Sequence, residues 1–179
     1  MGAGSQNLVW MDLEMTGLDP KTCTIVQMAI VITDKNLNEI DQPLEVAIWQ
    51  PESALEKMSP FVRAMHEKSG LLQQIRNSRT SMAEAEAEAM ELITRHMGYR
   101  QARLCGNTIG QDRRFLVEYM PVLEGYLHYR QIDVSTLKEL GHRWYNLKFE
   151  KPEEGKHTAL ADIRQSILEL RYYRERMFR

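Results

Sequence analysis

Five residues in three short clusters have the types and spacing to do chemistry together. Asp12 and Glu14 stand two apart in Val-Trp-Met-Asp-Leu-Glu-Met-Thr, Asp112 follows Gly106-Asn-Thr-Ile-Gly-Gln, and His157 and Asp162 share Lys-His-Thr-Ala-Leu-Ala-Asp-Ile. Four carboxylates and an imidazole suit a two-metal phosphodiesterase. Hard divalent cations prefer oxygen ligands, and two of them roughly 4 Å apart can clamp the attacking and leaving oxygens of an in-line displacement. A histidine of ordinary pKa beside them can take the proton of the attacking water. Taken singly, each cluster has an ordinary reading: acids at a strand end, an acid in the first turn of a helix, a surface histidine before one. Their order and combination carry the inference of a nuclease. Competing chemistries fail on inspection, since the chain has no Gly-x-Ser-x-Gly elbow, no Walker loop and no His-Glu-x-x-His.

These residues need elements to position them. Asn7 to Glu14 is expected as a strand, so Asp12 and Glu14 leave one face while Met11 and Leu13 turn into packing. Two carboxylates on one face of a central strand repel each other unless cations compensate. After the Gly17-Leu-Asp-Pro20 turn, strands are expected at Cys23 to Asp34 and Glu39 to Gln50, joined by short antiparallel connections. Ser59-Pro60 opens a helix to about Lys68, Leu71 to Asn77 follows a break at Ser69-Gly70, and Ser81-Met-Ala-Glu84 is a capping box for a helix to about Met97. Arg103 to Gly106 and Tyr129 to Val134 are expected as strands, with helices at Gln111 to Tyr119 and Ser135 to Trp144. A last helix runs from about Thr158 to Met177; Thr158 as its N-cap puts Asp162 in the first turns and His157 in the loop before it. This order predicts an α/β fold, a ribonuclease H-like mixed five-stranded sheet flanked by helices, in one domain spanning residues 1–179.

Composition narrows the class. With 43% apolar and 27% charged residues the chain falls in the globular range, which excludes disordered and fibrous readings. No apolar run of about 18 residues occurs, so no membrane span is expected. Cys23 and Cys105 lack metal-type spacing and are expected as buried free thiols in a reducing compartment, the cytoplasm or an organelle matrix. Proteins that grip long nucleic acids neutralise many phosphates; a net charge of −2 favours a short substrate over a long duplex.

The motifs together resemble a known family. Asp12-x-Glu14, then Asn107 and Asp112, then His157-x-Ala-x-x-Asp162 are similar to the three exonuclease motifs of the DEDD superfamily, histidine subtype. The stretches Trp-Met-Asp-Leu-Glu-Met-Thr-Gly-Leu-Asp, Cys-Gly-Asn-Thr-Ile-Gly-Gln-Asp-Arg-Arg-Phe-Leu and His-Tyr-Arg-x-x-Asp-Val-Ser-Thr-Leu-Lys-Glu-Leu resemble the oligoribonuclease family, over Asn7 to Tyr173. The resemblance implies a 3′→5′ exoribonuclease that uses two divalent cations, Mg²⁺ or Mn²⁺. It acts on short RNA, above all 5′-phosphorylated dinucleotides, releasing 5′-mononucleotides. By the same resemblance Asp12, Glu14, Asp112 and Asp162 hold the ions and His157 is the general base. Leu18 corresponds to a wedge against a base, and Phe61 and His66 to positions flanking the 3′ nucleotide. Asn107, in the second motif, is implied to bind substrate, and Thr108, Arg130, Ser135 and Thr136 correspond to a cap on the 5′ phosphate. The family is a homodimer in which the counterpart of Tyr129 reaches the partner's site. The chain departs from the pattern at Thr108 for Ser, Phe61 for Trp, Ala161 for an acid and Gln27 for Glu. A DNA-directed exonuclease of the same superfamily and a non-cleaving nucleotide-binding module are the competing readings. The cap positions argue against the first, and the intact ligand set against the second.

Overall fold

The first strand, β1 (Leu8–Met15), organises the molecule because its two faces feed two different cores. Val9, Met11 and Leu13 pack into one core and Trp10 into the other. A computed structural model of the protein describes residues 6–150 and 158–178. Among these, five strands form one sheet in the order β3-β2-β1-β4-β5. β2 (Ile25–Thr33) and β3 (Leu44–Ala47) run antiparallel to their neighbours; β4 (Arg103–Gly106) and β5 (Gln131–Asp133) add in parallel. All nine residues of β2 are buried, as expected for a strand with packed layers on both faces.

Helices cover both faces. On the Val9–Met11–Leu13 side lie α4 (Met82–His96), α5 (Gly110–Tyr119) and α6 (Pro121–Tyr126), which contribute Ala89, Ile93, Phe115 and Leu123. On the Trp10 side lie α7 (Val134–Tyr145) and α8 (Ala159–Met177), contributing Val134, Ile163 and Ile167. A third cluster, Val26 with Leu55, Met58, Leu71, Leu72 and Ile75, seats α1 (Glu52–Leu55), α2 (Pro60–Ser69) and α3 (Leu71–Asn77) at the β2–β3 end. The fold class and most elements agree with expectation. The capping box forms in full, the Ser81 hydroxyl accepting from Glu84 N–H while the Glu84 carboxylate accepts from Ser81 N–H.

The departures have local causes. The expected third strand, Glu39 to Gln50, shrinks to Leu44–Ala47 with a single bridge at Glu39. Pro43 has no N–H to give a ladder, and Gln42 N–H is taken by the Asp41 carboxylate at 2.7 Å. The last strand starts at Gln131 rather than Tyr129 because Arg130 N–H bonds to His128 Nδ1. Cys105 is buried, but Cys23 is only partly so. No helix among the described residues is long and apolar enough to cross a membrane.

Candidate active site

Asp12 and Glu14 project from β1 on the Trp10 side, where the first turn of α8 arrives with Asp162. Thr158 caps that helix, its hydroxyl accepting from Ala161 N–H, and Asp162 N–H bonds to Thr158 O at 3.0 Å. One carboxylate oxygen from each of Asp12, Glu14 and Asp162 lies within 4.8 Å of the others. Asp112 comes from the other layer, in the first turn of α5, and is buried. The pairing of β4 with β1 ends at Trp10. Beyond that point Leu13 N–H donates to Asp112 Oδ1 at 2.9 Å. Three carboxylates therefore converge directly, and the fourth sits behind Leu13 with one oxygen held by the strand. His157 lies outside the described residues.

Crowding of like charge in a poorly hydrated site shows in the carboxyls themselves. Burial, then Asp162, then Asp112 push the Glu14 carboxyl from the usual range up to about 7. Burial pushes Asp112 up to about 7 as well, against the backbone hydrogen bonds that favour its ionised form. The register places neutral Gln27 opposite Glu14, so the cross-strand neighbour adds no further charge. The donor set is all oxygen, clustered, and anionic at a cost that a cation would offset. These residues fit a hard divalent ion.

His66, on α2, is buried against this site. Its Nε2–H donates to Met15 O at 3.0 Å and its Nδ1 is 4.0 Å from Glu14 Oε2. Burial holds its pKa below the usual histidine value. It is 1% exposed, beside the Glu14 carboxylate. The groove beside it, about 680 Å³, is lined by Glu14, Leu18, Cys23, Phe61, Val62 and Met65 among others. Leu18 and Phe61 are 74% and 78% exposed there. The Leu18 turn is pinned, since Gln111 donates to Leu18 O at 2.5 Å and Tyr119 to Pro20 O and Cys23 O. Gln111 and Tyr119 escape sequence reasoning because their partners are 93 and 96 to 99 residues away.

Asn107, Thr108 and Ser135 form a second group where β4 and β5 end, while Tyr129 and Arg130 come just before β5 begins. Thr108, with φ at 52°, donates its N–H to Asp133 Oδ1 and Ser135 Oγ, both at 2.9 Å, and its hydroxyl is 3.1 Å from Ser135 Oγ. Ser135 is not the N-cap of α7; Asp133 is, accepting from Ser135 N–H. That frees the Ser135 hydroxyl to donate to Asn107 Oδ1 at 3.1 Å. The Asn107 amide also donates to Ser166 and Glu169, so its polar atoms are committed inside the protein. Thr136 is exposed on the same turn. Arg130 is exposed, its guanidinium 5.3 Å from the Tyr129 ring, which in turn stacks on His128. Tyr129 is 67% exposed.

Comparison with known proteins decides the family. The exonuclease family model, RNase T, matches residues 9–170. The oligoribonuclease of Marinobacter nauticus is 49% identical over 178 residues, covering 99% of both chains. That of Pseudomonas syringae pv. syringae is 52% identical over 171 residues, 95% of each.

The chain belongs to the oligoribonuclease family of exonucleases.

It is accordingly a phosphodiester hydrolase, a 3′→5′ exoribonuclease. Among solved structures, the metal-free E. coli exonuclease I–ssDNA complex superposes with a TM-score of 0.74 at 17% identity, covering 96% of this chain. This chain spans 40% of that one, and the likeness shows the shared fold. The ribonuclease H-like sheet expected from the element order is thus present, with Asp12 and Glu14 on β1, Asp112 on α5 and Asp162 on α8.

Proposed function

We propose that this oligoribonuclease-family enzyme degrades very short RNA, preferring 5′-phosphorylated dinucleotides, and releases 5′-mononucleotides. The observation that supports this reading is a carboxylate cluster at the strand end with a separate pair of hydroxyls, Thr108 and Ser135, where β4 and β5 end. Family membership supplies the reaction class; the two groups supply the reason for a short substrate. A 5′ phosphate recognised by Thr108, Arg130, Ser135 and Thr136 fixes one end of the substrate, as charge-assisted hydrogen bonds do.

Asp12, Glu14 and Asp162, with Asp112 behind Leu13, would hold two divalent ions, Mg²⁺ or Mn²⁺. When bound, such ions supply Lewis-acid charge at the scissile phosphate. The chain's own residues do the rest. Leu18 and Phe61 offer apolar surfaces to a base at the 3′ end, and the pinned Leu18 turn keeps that surface in place. His66, beside Glu14, is proposed to flank the 3′ nucleotide. His157 is the proposed general base, five residues ahead of Asp162. Tyr129 is proposed to reach the active site of a partner subunit in a homodimer.

The test is product analysis with a 5′-phosphorylated diribonucleotide and a seven-nucleotide RNA, each in Mg²⁺ or EDTA. Metal-dependent conversion of the dinucleotide, clearly faster than trimming of the heptamer, is the expected outcome. Faster attack on the heptamer would discard the cap and keep the nuclease. Arg130→Ala should slow the 5′-phosphorylated dinucleotide far more than its 5′-hydroxyl counterpart, and equal losses would also discard the cap.

A further inference from the structure

Glu169 is a buried carboxylate that the reaction does not use. It is 1% exposed, in α8, two turns beyond Asp162. An acid in that position is costly unless it is hydrogen-bonded. Its Oε2 accepts from Asn107 Nδ2 at 3.1 Å, its Oε1 from Tyr173 OH at 3.3 Å, and Lys138 Nζ stands 3.7 Å away. Packing of α8 alone would be served by an apolar side chain.

The consequence lies in the direction of the hydrogen bonds. A carboxylate only accepts, so the Asn107 amide must turn its Nδ2 toward Glu169. Ser166 reinforces this orientation. Its hydroxyl proton goes to Asp162 O at 2.9 Å, which leaves its oxygen to accept from Asn107 Nδ2 at 2.8 Å. With Nδ2 fixed toward α8, Asn107 Oδ1 faces Ser135 and accepts its hydroxyl proton. Ser135 Oγ is then an acceptor toward Thr108, whose N–H it receives. Thr108 holds a left-handed backbone conformation that a non-glycine residue adopts only when its surroundings enforce it. One buried charge thereby sets the polarity of a chain, Glu169–Asn107–Ser135–Thr108, that ends at the cap. The same chain touches the helix that carries Asp162.

We propose that Glu169 and Ser166 are positioning residues for recognition of the substrate's 5′ phosphate, acting through the orientation of the Asn107 amide. This rests on the cap reading above. It requires no contact between Glu169 and RNA, and it assigns Asn107 to bracing the cap.

The test is the ratio of kcat/KM for a 5′-phosphorylated diribonucleotide to that for the same dinucleotide with a 5′ hydroxyl. The wild-type enzyme, E169Q and S166A are compared in saturating Mg²⁺, with thermal melts alongside. Gln presents donors as well as an acceptor, so E169Q keeps the volume and loses the lock. The ratio should fall by about three- to tenfold in E169Q, the range of one hydrogen bond, with the change mainly in KM of the phosphorylated substrate. A merely structural Glu169 would lower the melting temperature and leave the ratio where it was; that result overturns the proposal. Should E169Q fail to fold, S166A decides, because Ala favours a helix and removes the second acceptor for Asn107. An unchanged ratio there overturns it equally. A wild-type enzyme with no preference for the 5′ phosphate would bring down the cap itself, and this inference with it. A wild-type preference that survives both variants would bring down this inference alone.

Discussion

Glu14 and Asp112 are the residues whose surroundings say most about their task. Their ordinary values are 4.5 and 3.8, and both stand at about 7 here. Between those limits the folded protein holds protons that the unfolded chain has released. The ion-free fold therefore loses stability as pH rises from about 4 to about 7 through these two groups. A divalent ion binds the ionised carboxylates and must displace those protons. The gain in melting temperature on going from EDTA to saturating Mg²⁺ should accordingly grow from pH 5.5 to pH 8. A gain that is flat across this range would exclude these carboxyls as the ligands. Asp112 separates charge from structure. Asp112→Asn keeps an acceptor for Leu13 N–H and relieves repulsion on Glu14, so it should fold at least as stably as the wild type. Its Mg²⁺-dependent turnover should nonetheless drop by about 10- to 100-fold or more; full turnover in the purified variant would refute the metal assignment.

At the scale of elements, the site depends on how closely β1 and β4 approach. A Cβ at Gly106 would lie 2.8 Å from Ile109 Cδ1 and 3.0 Å from Met11 O, the residue before Asp12. Gly106→Ala should destabilise the protein by about 1–3 kcal/mol, the usual range for overpacking. It should also weaken Mg²⁺ affinity, because the backbone that must yield carries Asp12. Calorimetric melting with a metal titration checks both, and an unchanged affinity would separate the strand's position from the site. Sequence reading worked well for elements with local signals. The Ser81–Glu84 capping box, the Thr158 cap and the Pro60 helix start are all built by residues within four positions of each other. It was weaker where the deciding partner was not the expected one. The Asp133 carboxylate caps α7, which begins at Val134 just ahead of the expected Ser135, and Pro43 and Asp41 cut short the third strand.

For the whole molecule, the proposal is that one chain does not complete the active site. Tyr129 is a large aromatic left 67% exposed, stacked on His128 at 4.5 Å and flanked by Arg130. Its exposure agrees with a role across a subunit boundary, where aromatic anchors concentrate binding energy. Tyr129→Ala should lower dinucleotide kcat/KM by about tenfold or more, the loss of a single anchor. Light scattering on the wild-type protein should return twice the chain mass. A monomer with full dinucleotide activity would sink the two-subunit reading, while leaving the carboxylate cluster untouched.

The sequence by itself determined the residue types, their order and the local frames that hold them. Asp12 and Glu14 share a face because strand side chains alternate, and Asp162 enters a helix at its first turn because Thr158 caps it. These are short-range facts, and the family follows from them. Only the tertiary structure decided which of the carboxylates converge. Asp162 reaches Asp12 and Glu14 because α8 crosses the Trp10 face of β1, while Asp112 approaches from the opposite layer and is caught by Leu13 N–H. It also decided that His66 is buried beside Glu14, that Asn107 faces inward, and that Glu169 and Ser166 matter at all. No periodicity or motif could mark those roles. A partly buried hydrogen bond between residues 59 or 62 positions apart exists only once the sheet and its helices have closed around it.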